Sequence, residues 1–105
     1  LGGEPMEYMN QEALLPFLEK VKERFPEKTI WCFTGYVFEK DILNRMIPKW
    51  KYTKKMLEQI DYLVDGPFVE AKKDITLRFR GSSNQRIIDV KKSLETGEVV
   101  LWEEQ

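Results

Sequence analysis

Three short runs, ending near Gly2, centred on Trp31 and beginning at Leu63, recur roughly 30 residues apart, the length of a βαβ unit. No other feature constrains the fold of this chain so tightly. Thr29-Ile30-Trp31-Cys32-Phe33-Thr34 is a continuous β-branched and aromatic run. It lacks polar alternation, as a strand covered on both faces does. Ile60-Asp61-Tyr62-Leu63-Val64 reads as a further strand, turned out by Asp65-Gly66-Pro67, and Leu1 as the last residue of an earlier one before the Gly2-Gly3-Glu4-Pro5 turn. Helical periodicity fills the intervals, so the order is β-α-β-α-β, which calls for parallel strands with right-handed crossovers. Ligands bind such sheets at the carboxyl ends of the strands. Gly3-Glu4, Thr34-Gly35 and Asp65-Gly66 therefore fall on one rim.

The first interval predicts a helix with Asn10 as N-cap and Met9 and Leu14 as a hydrophobic staple. Its apolar stripe is Leu14, Leu18, Val21 and Phe25, widened by Leu15 and Phe17. Pro16 is expected to kink it and Pro26 to end it. From Phe38 to Ile60 the period is helical again, broken near Pro48, with Phe38, Ile42, Leu43 and Met46 on one stripe and Tyr52, Met56, Leu57 and Ile60 on the next. Beyond Phe68 the period is lost: Lys72-Lys73-Asp74 is a charged loop and Ile75-Thr76-Leu77 a short apolar piece. Nearer the C-terminus the residues fit either a strand over Arg86–Val90 or a helix over Ile87–Leu94, and Val99-Val100-Leu101-Trp102 reads as a closing strand.

Composition narrows the chemistry. The 105 residues, 42% of them apolar, suffice for one domain with a single core. There is no histidine, so imidazole catalysis and histidine–metal sites are excluded within this chain. The single cysteine, Cys32, excludes an intrachain disulfide and reads as a small buried hydrophobe. No apolar run approaches the length of a membrane span, which argues against a membrane partner. A net charge of −1 points neither toward nor away from nucleic acid. Lys49-Trp50-Lys51-Tyr52-Thr53-Lys54-Lys55 mixes bases with aromatics but reads as a helix junction with a solvated basic face rather than a nucleic-acid contact. Leu1 in place of an initiator methionine leads us to expect a processed chain or a portion of a longer one, and the single cysteine with no charged-then-apolar leader a cytoplasmic one.

The densest cluster of side-chain donors is Arg78-Phe79-Arg80-Gly81-Ser82-Ser83-Asn84-Gln85-Arg86. Arg80 and Arg86 flank a Gly-Ser turn, with the amides of Asn84 and Gln85 between them. Guanidiniums and amides in that order suit a carboxylate or an extended backbone better than an adenine ring. The alternative is a structural turn whose polar groups bond their own backbone.

Four stretches together carry a resemblance: Gly2-Gly3-Glu4-Pro5, Trp31-Cys32-Phe33-Thr34-Gly35-Tyr36, Leu63-Val64-Asp65-Gly66-Pro67-Phe68, and Phe79 through Arg86. In this order they resemble the activating proteins of anaerobic (class III) ribonucleotide reductase, within the radical S-adenosylmethionine enzymes. The resemblance covers residue 1 to about Trp102. It implies an α/β fold, a partial (β/α) barrel of mainly parallel strands with its first strands missing, so that residues 1–105 form the C-terminal part of a radical S-adenosylmethionine domain. It also implies a 4Fe–4S cluster and S-adenosylmethionine at the strand carboxyl ends. Reductive cleavage of that cofactor would let a hydrogen be taken from a glycine of the reductase. By residue, Gly2, Gly3 and Glu4 match the loop that meets the methionine amino group, and Thr34 lies at the matching strand tip. Asp65 and the Arg80–Arg86 loop fall either to the cofactor or to the reductase's glycine-bearing segment; we assign Asp65 to the former and Arg80, Asn84, Gln85 and Arg86 to the latter.

The implied partners are the reductase large subunit and a flavodoxin- or ferredoxin-like electron donor. The family's cluster is held by a C-x3-C-x2-C motif upstream of Gly-Gly-Glu-Pro. With only Cys32 in this chain, its ligands would lie outside these residues. The competing reading is a non-catalytic α/β protein-binding domain derived from the same family. A nucleotide-binding module is disfavoured, because no Gly-x-Gly-x-x-Gly or P-loop pattern follows any strand.

Overall fold

The computed structural model describes residues 4–74, 76–77 and 79–102. The expected first strand, the Gly2-Gly3 turn and Ile75 lie outside these. The sheet has three strands: β1 (Trp31–Phe33), β2 (Tyr62–Asp65) and β3 (Arg86–Asp89), in the order β1-β2-β3. β1 and β2 run parallel, with Trp31 opposite Tyr62 and Phe33 opposite Val64. β3 returns antiparallel, with Leu63 opposite Ile88 and Asp65 opposite Arg86. Strand alternation turns Cys32, Leu63 and Ile88 toward one face. There they pack with the helical residues Leu15, Phe38, Ile42, Met56 and Leu57. On the opposite face Trp31, Tyr62 and Trp102 stack, with ring centroids 4.9–5.9 Å apart.

Helix α1 (Tyr8–Arg24) runs unbroken through Pro16 and ends before Pro26. Its buried face is narrower than the sequence suggests, because Phe17 and Phe25 are exposed and Gln11 is buried in their stead. The Gln11 amide donates to the Met6 carbonyl at 2.7 Å and accepts from the Thr53 hydroxyl at 2.7 Å, tying α1 to the later helix. The N-cap position belongs to Glu7, not Asn10. The Asn10 amide instead reaches back to the Glu4 carbonyl at 2.7 Å. Met9 is 81% exposed and forms no staple.

The second interval opens as a π-helix (Phe38–Met46), passes into the short α2 (Ile47–Lys49), breaks at an extended Trp50 and resumes as α3 (Thr53–Gln59). Phe38, Ile42 and Met46 are its buried stripe. Asp41 accepts from the Val37 backbone N–H at 2.8 Å and fixes the start of the π-helix. Such wide turns are rare and are frequently found at functional sites.

Of the two alternatives for the C-terminal stretch the strand forms, and a helix begins only after it: β3 ends at Asp89, which caps α4 (Val90–Thr96) by accepting from the Lys92 N–H. The expected closing strand reduces to a bridge between Ile88 and Leu101, flanked by two backbone hydrogen bonds. β1 is covered on both faces at Trp31 and Cys32, by the ring cluster and by the helical core, but Phe33 at its end is 54% exposed. Among the described residues only β2 pairs with its edge. No helix among the described residues is long and apolar enough to cross a membrane.

Candidate functional site

The carboxyl ends of β1 and β2 meet on one rim, as parallel pairing requires. Thr34 extends the β1 ladder by donating its N–H to the Val64 carbonyl. Its hydroxyl then donates to Glu4 Oε2 at 2.7 Å, and the Gly35 N–H donates to Glu4 Oε1 at 2.6 Å. The Met6 N–H adds a third bond to Oε2. A Cβ at residue 35 would lie 3.3 Å from Glu4 Oε1, so glycine is what lets the backbone close on the carboxylate. Glu4 is thus held by neutral donors at a strand tip. Among the described residues no lysine or arginine pairs with it. A fixed carboxylate with no cation of its own is a ready acceptor for an ammonium group.

At the end of β2, Asp65 is almost fully buried and accepts from the Phe38 N–H at 2.8 Å. Arg86 closes on it with two bonds, Nε to Oδ1 at 3.0 Å and Nη2 to Oδ2 at 2.5 Å. The same guanidinium forks onto Glu39 at 2.6 and 3.0 Å. Hydrogen bonds from Arg86 hold the Glu39 carboxyl well below its usual range, at about 2, and Asp65 and then Glu39 push Arg86 further up. One arginine on β3 therefore locks β2 to the first turn of the π-helix.

The donor-rich loop does not fan outward as its sequence suggests. Gln85 Oε1 accepts from the N–H groups of Gly81 and Ser82, and its amide donates to the Gly66 carbonyl at 3.0 Å. The Asn84 amide donates to the Pro67 carbonyl at 2.9 Å. These carbonyls are bare because Gly66, at φ 93°, turns the chain sharply out of β2. Arg86 faces Asp65 and not the loop. Arg80 donates to the Gln85 carbonyl at 2.7 Å and borders a cavity of about 450 Å³ walled by Leu77, Ile87, Leu101 and Trp102.

The structure therefore brings Glu4 and Thr34 into contact, joins Asp65 to Arg86, and knits Asn84 and Gln85 to the turn after β2. Gly2 and Gly3 lie outside the described residues. Sequence reasoning missed Glu39, whose only signal is its place in the first turn of the helix next to the rim, and gave Gly35 no bond of its own. Among the described residues no group of three histidine, cysteine, aspartate or glutamate side chains could hold a metal ion. Cys32 is half-buried in β1, and burial pushes its thiol up to about 12, so it is a neutral thiol. An iron–sulfur cluster needs several thiolates, and these residues do not fit one.

The profile of the 4Fe-4S single cluster domain family matches residues 1–88, and the chain belongs to that family. Within it, the chain is similar to anaerobic ribonucleoside-triphosphate reductase-activating proteins. It is 43% identical to that of Haemophilus influenzae over 86 residues, covering 82% of this chain and 50% of the relative. The identity is 38% to the protein of Enterobacteria phage T4 (82% and 48% covered) and 34% to that of Escherichia coli (80% and 49%). The chain spans about half the length of these curated relatives. No solved structure matches it.

Proposed function

We propose that this chain is the C-terminal part of a radical S-adenosylmethionine activase, a cytoplasmic oxidoreductase that installs a glycyl radical on anaerobic ribonucleotide reductase. The observation that carries the reading is the Glu4 carboxylate, clamped by Thr34 and Gly35 at the tip of a parallel strand with no cation partner among the described residues. In this reading β1 and β2 belong to a partial (β/α) barrel of mainly parallel strands. S-adenosylmethionine would lie across their carboxyl ends, its ammonium on Glu4 and the carbonyls of Gly2 and Gly3. Thr34 acts through Glu4, because its hydroxyl proton is already directed at the carboxylate. Asp65 braces the rim through Arg86. The electron that drives cofactor cleavage would come from a 4Fe–4S cluster whose cysteines lie outside this chain, supplied by a flavodoxin- or ferredoxin-like protein.

Arg80 and Arg86 both line the cavity at the foot of the loop, so that cavity is the place for the reductase's glycine-bearing segment. Asn84 and Gln85 hold that loop in shape, and Arg86 anchors its end to Asp65 and Glu39. The lack of a cluster-ligand set among the described residues favours one competing reading, a non-catalytic binding domain derived from the family. The two separate when full-length protein is incubated anaerobically with S-adenosylmethionine and dithionite. Methionine and 5′-deoxyadenosine released together support the activase; a cluster-loaded protein that binds the cofactor and releases neither overturns it.

A further inference from the structure

Residues 45–55 hold five basic side chains and no acidic one, whereas the rest of the chain holds twelve basic and eighteen acidic residues. Charge in this molecule is segregated, and the segregation has a location. Arg45 stands 78% exposed at the end of the π-helix, with only a loose 3.7 Å contact to Asp41. Lys49, Lys51, Lys54 and Lys55 are exposed and enter no ion pair among the described residues.

Between these cations the chain is stiffened by rings. Trp50 and Tyr52 pack on Tyr8 at 5.4 and 6.2 Å, and the Lys51 ammonium lies 5.1 Å from the Tyr52 ring centre. A cavity of about 130 Å³ is lined by Arg45, Lys49 and Trp50 together with Tyr36, Met46 and the single acid Asp41. Tyr36 directly succeeds Gly35, which holds Glu4, and its hydroxyl donates to Glu7. The basic patch therefore abuts the rim and shares no lining residue with the cavity beside Arg80.

We propose that this patch docks the acidic face of the electron-delivering protein. The inference rests on the proposed reading, in which cofactor cleavage consumes one electron that a reduced carrier gives up. Such a carrier must arrive quickly and leave again. Exposed, unpaired charge on a rigid aromatic base provides that, because complementary fields raise the association rate more than they slow departure. A nucleic acid fits worse: its phosphates would run past the five cations onto the acidic remainder, where Asp41 and Glu58 border the patch.

The test uses full-length, cluster-loaded protein with oxidised flavodoxin as the probe, titrated calorimetrically at low and at physiological salt. The combined variant Lys49→Glu, Lys51→Glu, Lys54→Glu, Lys55→Glu should weaken binding about tenfold or more at low salt and flatten its salt dependence. The milder Lys51→Gln, Lys54→Gln pair should lose about threefold, which keeps the test open if the fourfold variant does not fold. Dithionite, which needs no docking, should drive cofactor cleavage equally in wild type and variants. Unchanged flavodoxin affinity in the folded variants overturns the proposal. So does loss of duplex DNA binding with flavodoxin binding intact. If wild type binds flavodoxin through the lysines but never cleaves the cofactor, the docking surface stands and the activase reading falls.

Discussion

Glu4 and Glu39 are both carboxylates on the rim, and their surroundings give them opposite characters. Glu39 is neutralised by the Arg86 fork, whereas Glu4 takes three neutral hydrogen bonds and meets no cation among the described residues. Glu4→Gln in the full-length protein keeps the shape and removes the charge. Replacing a charge-assisted bond to an ammonium with a neutral one should weaken S-adenosylmethionine binding by about 1–2 kcal/mol. An unchanged dissociation constant would remove Glu4 from the site.

Glu39 carries a pH prediction. Its carboxyl is lowered from 4.5 to about 2 by Arg86, so the stability it adds is complete above about 4.5 and is lost as pH falls toward 2. The side chain is 43% exposed, which screens the pair and keeps the effect small. Glu39→Gln should lower stability slightly at neutral pH, by an amount that shrinks as pH falls toward 2, so that its acid limb is flatter than that of wild type. An acid limb identical to wild type would contradict the pairing.

At the level of elements, the loop from Arg80 to Arg86 has Asn84 and Gln85 tied to the turn after β2 and an arginine at each end lining the cavity. Arg80→Ala should slow activation of the reductase while leaving uncoupled cofactor cleavage nearly unchanged. A parallel fall in cofactor affinity would place the loop in the cofactor site instead, and a drop in melting temperature alone would make it a structural turn. Much of this region is legible in the sequence. The apolar runs of β1 and β2, their spacing and the polar residue at each tip place Thr34 and Asp65 on one edge. What the sequence does not carry is where each donor points. Asn84 and Gln85 turn inward because Gly66 leaves carbonyls bare at the exit of β2, a meeting of segments about 18 residues apart that no local pattern encodes. Asn10 misleads for the same reason: its side chain answers the Glu4 carbonyl across a turn and not its own helix. The π-helix is invisible as such, because its buried residues at 38, 42 and 46 keep a spacing an α-helix also satisfies.

At the scale of the whole molecule, β1 is bonded on one side only among the described residues and presents the exposed Phe33 at that edge. Unpaired, partly apolar edges recruit other strands. The 105-residue chain alone should therefore self-associate in sedimentation experiments, and a dilute monomer with a sharp cooperative melt would count against this. The central claim concerns the longer protein, in which the rim serves an activase. Its most direct test is electron paramagnetic resonance of anaerobic ribonucleotide reductase frozen after anaerobic mixing with cluster-loaded, full-length protein, S-adenosylmethionine and a reductant. The expected result is a glycyl-radical signal on the reductase that Glu4→Gln diminishes at limiting cofactor. A reductase that stays silent while the wild-type protein holds both cluster and cofactor would contradict the claim.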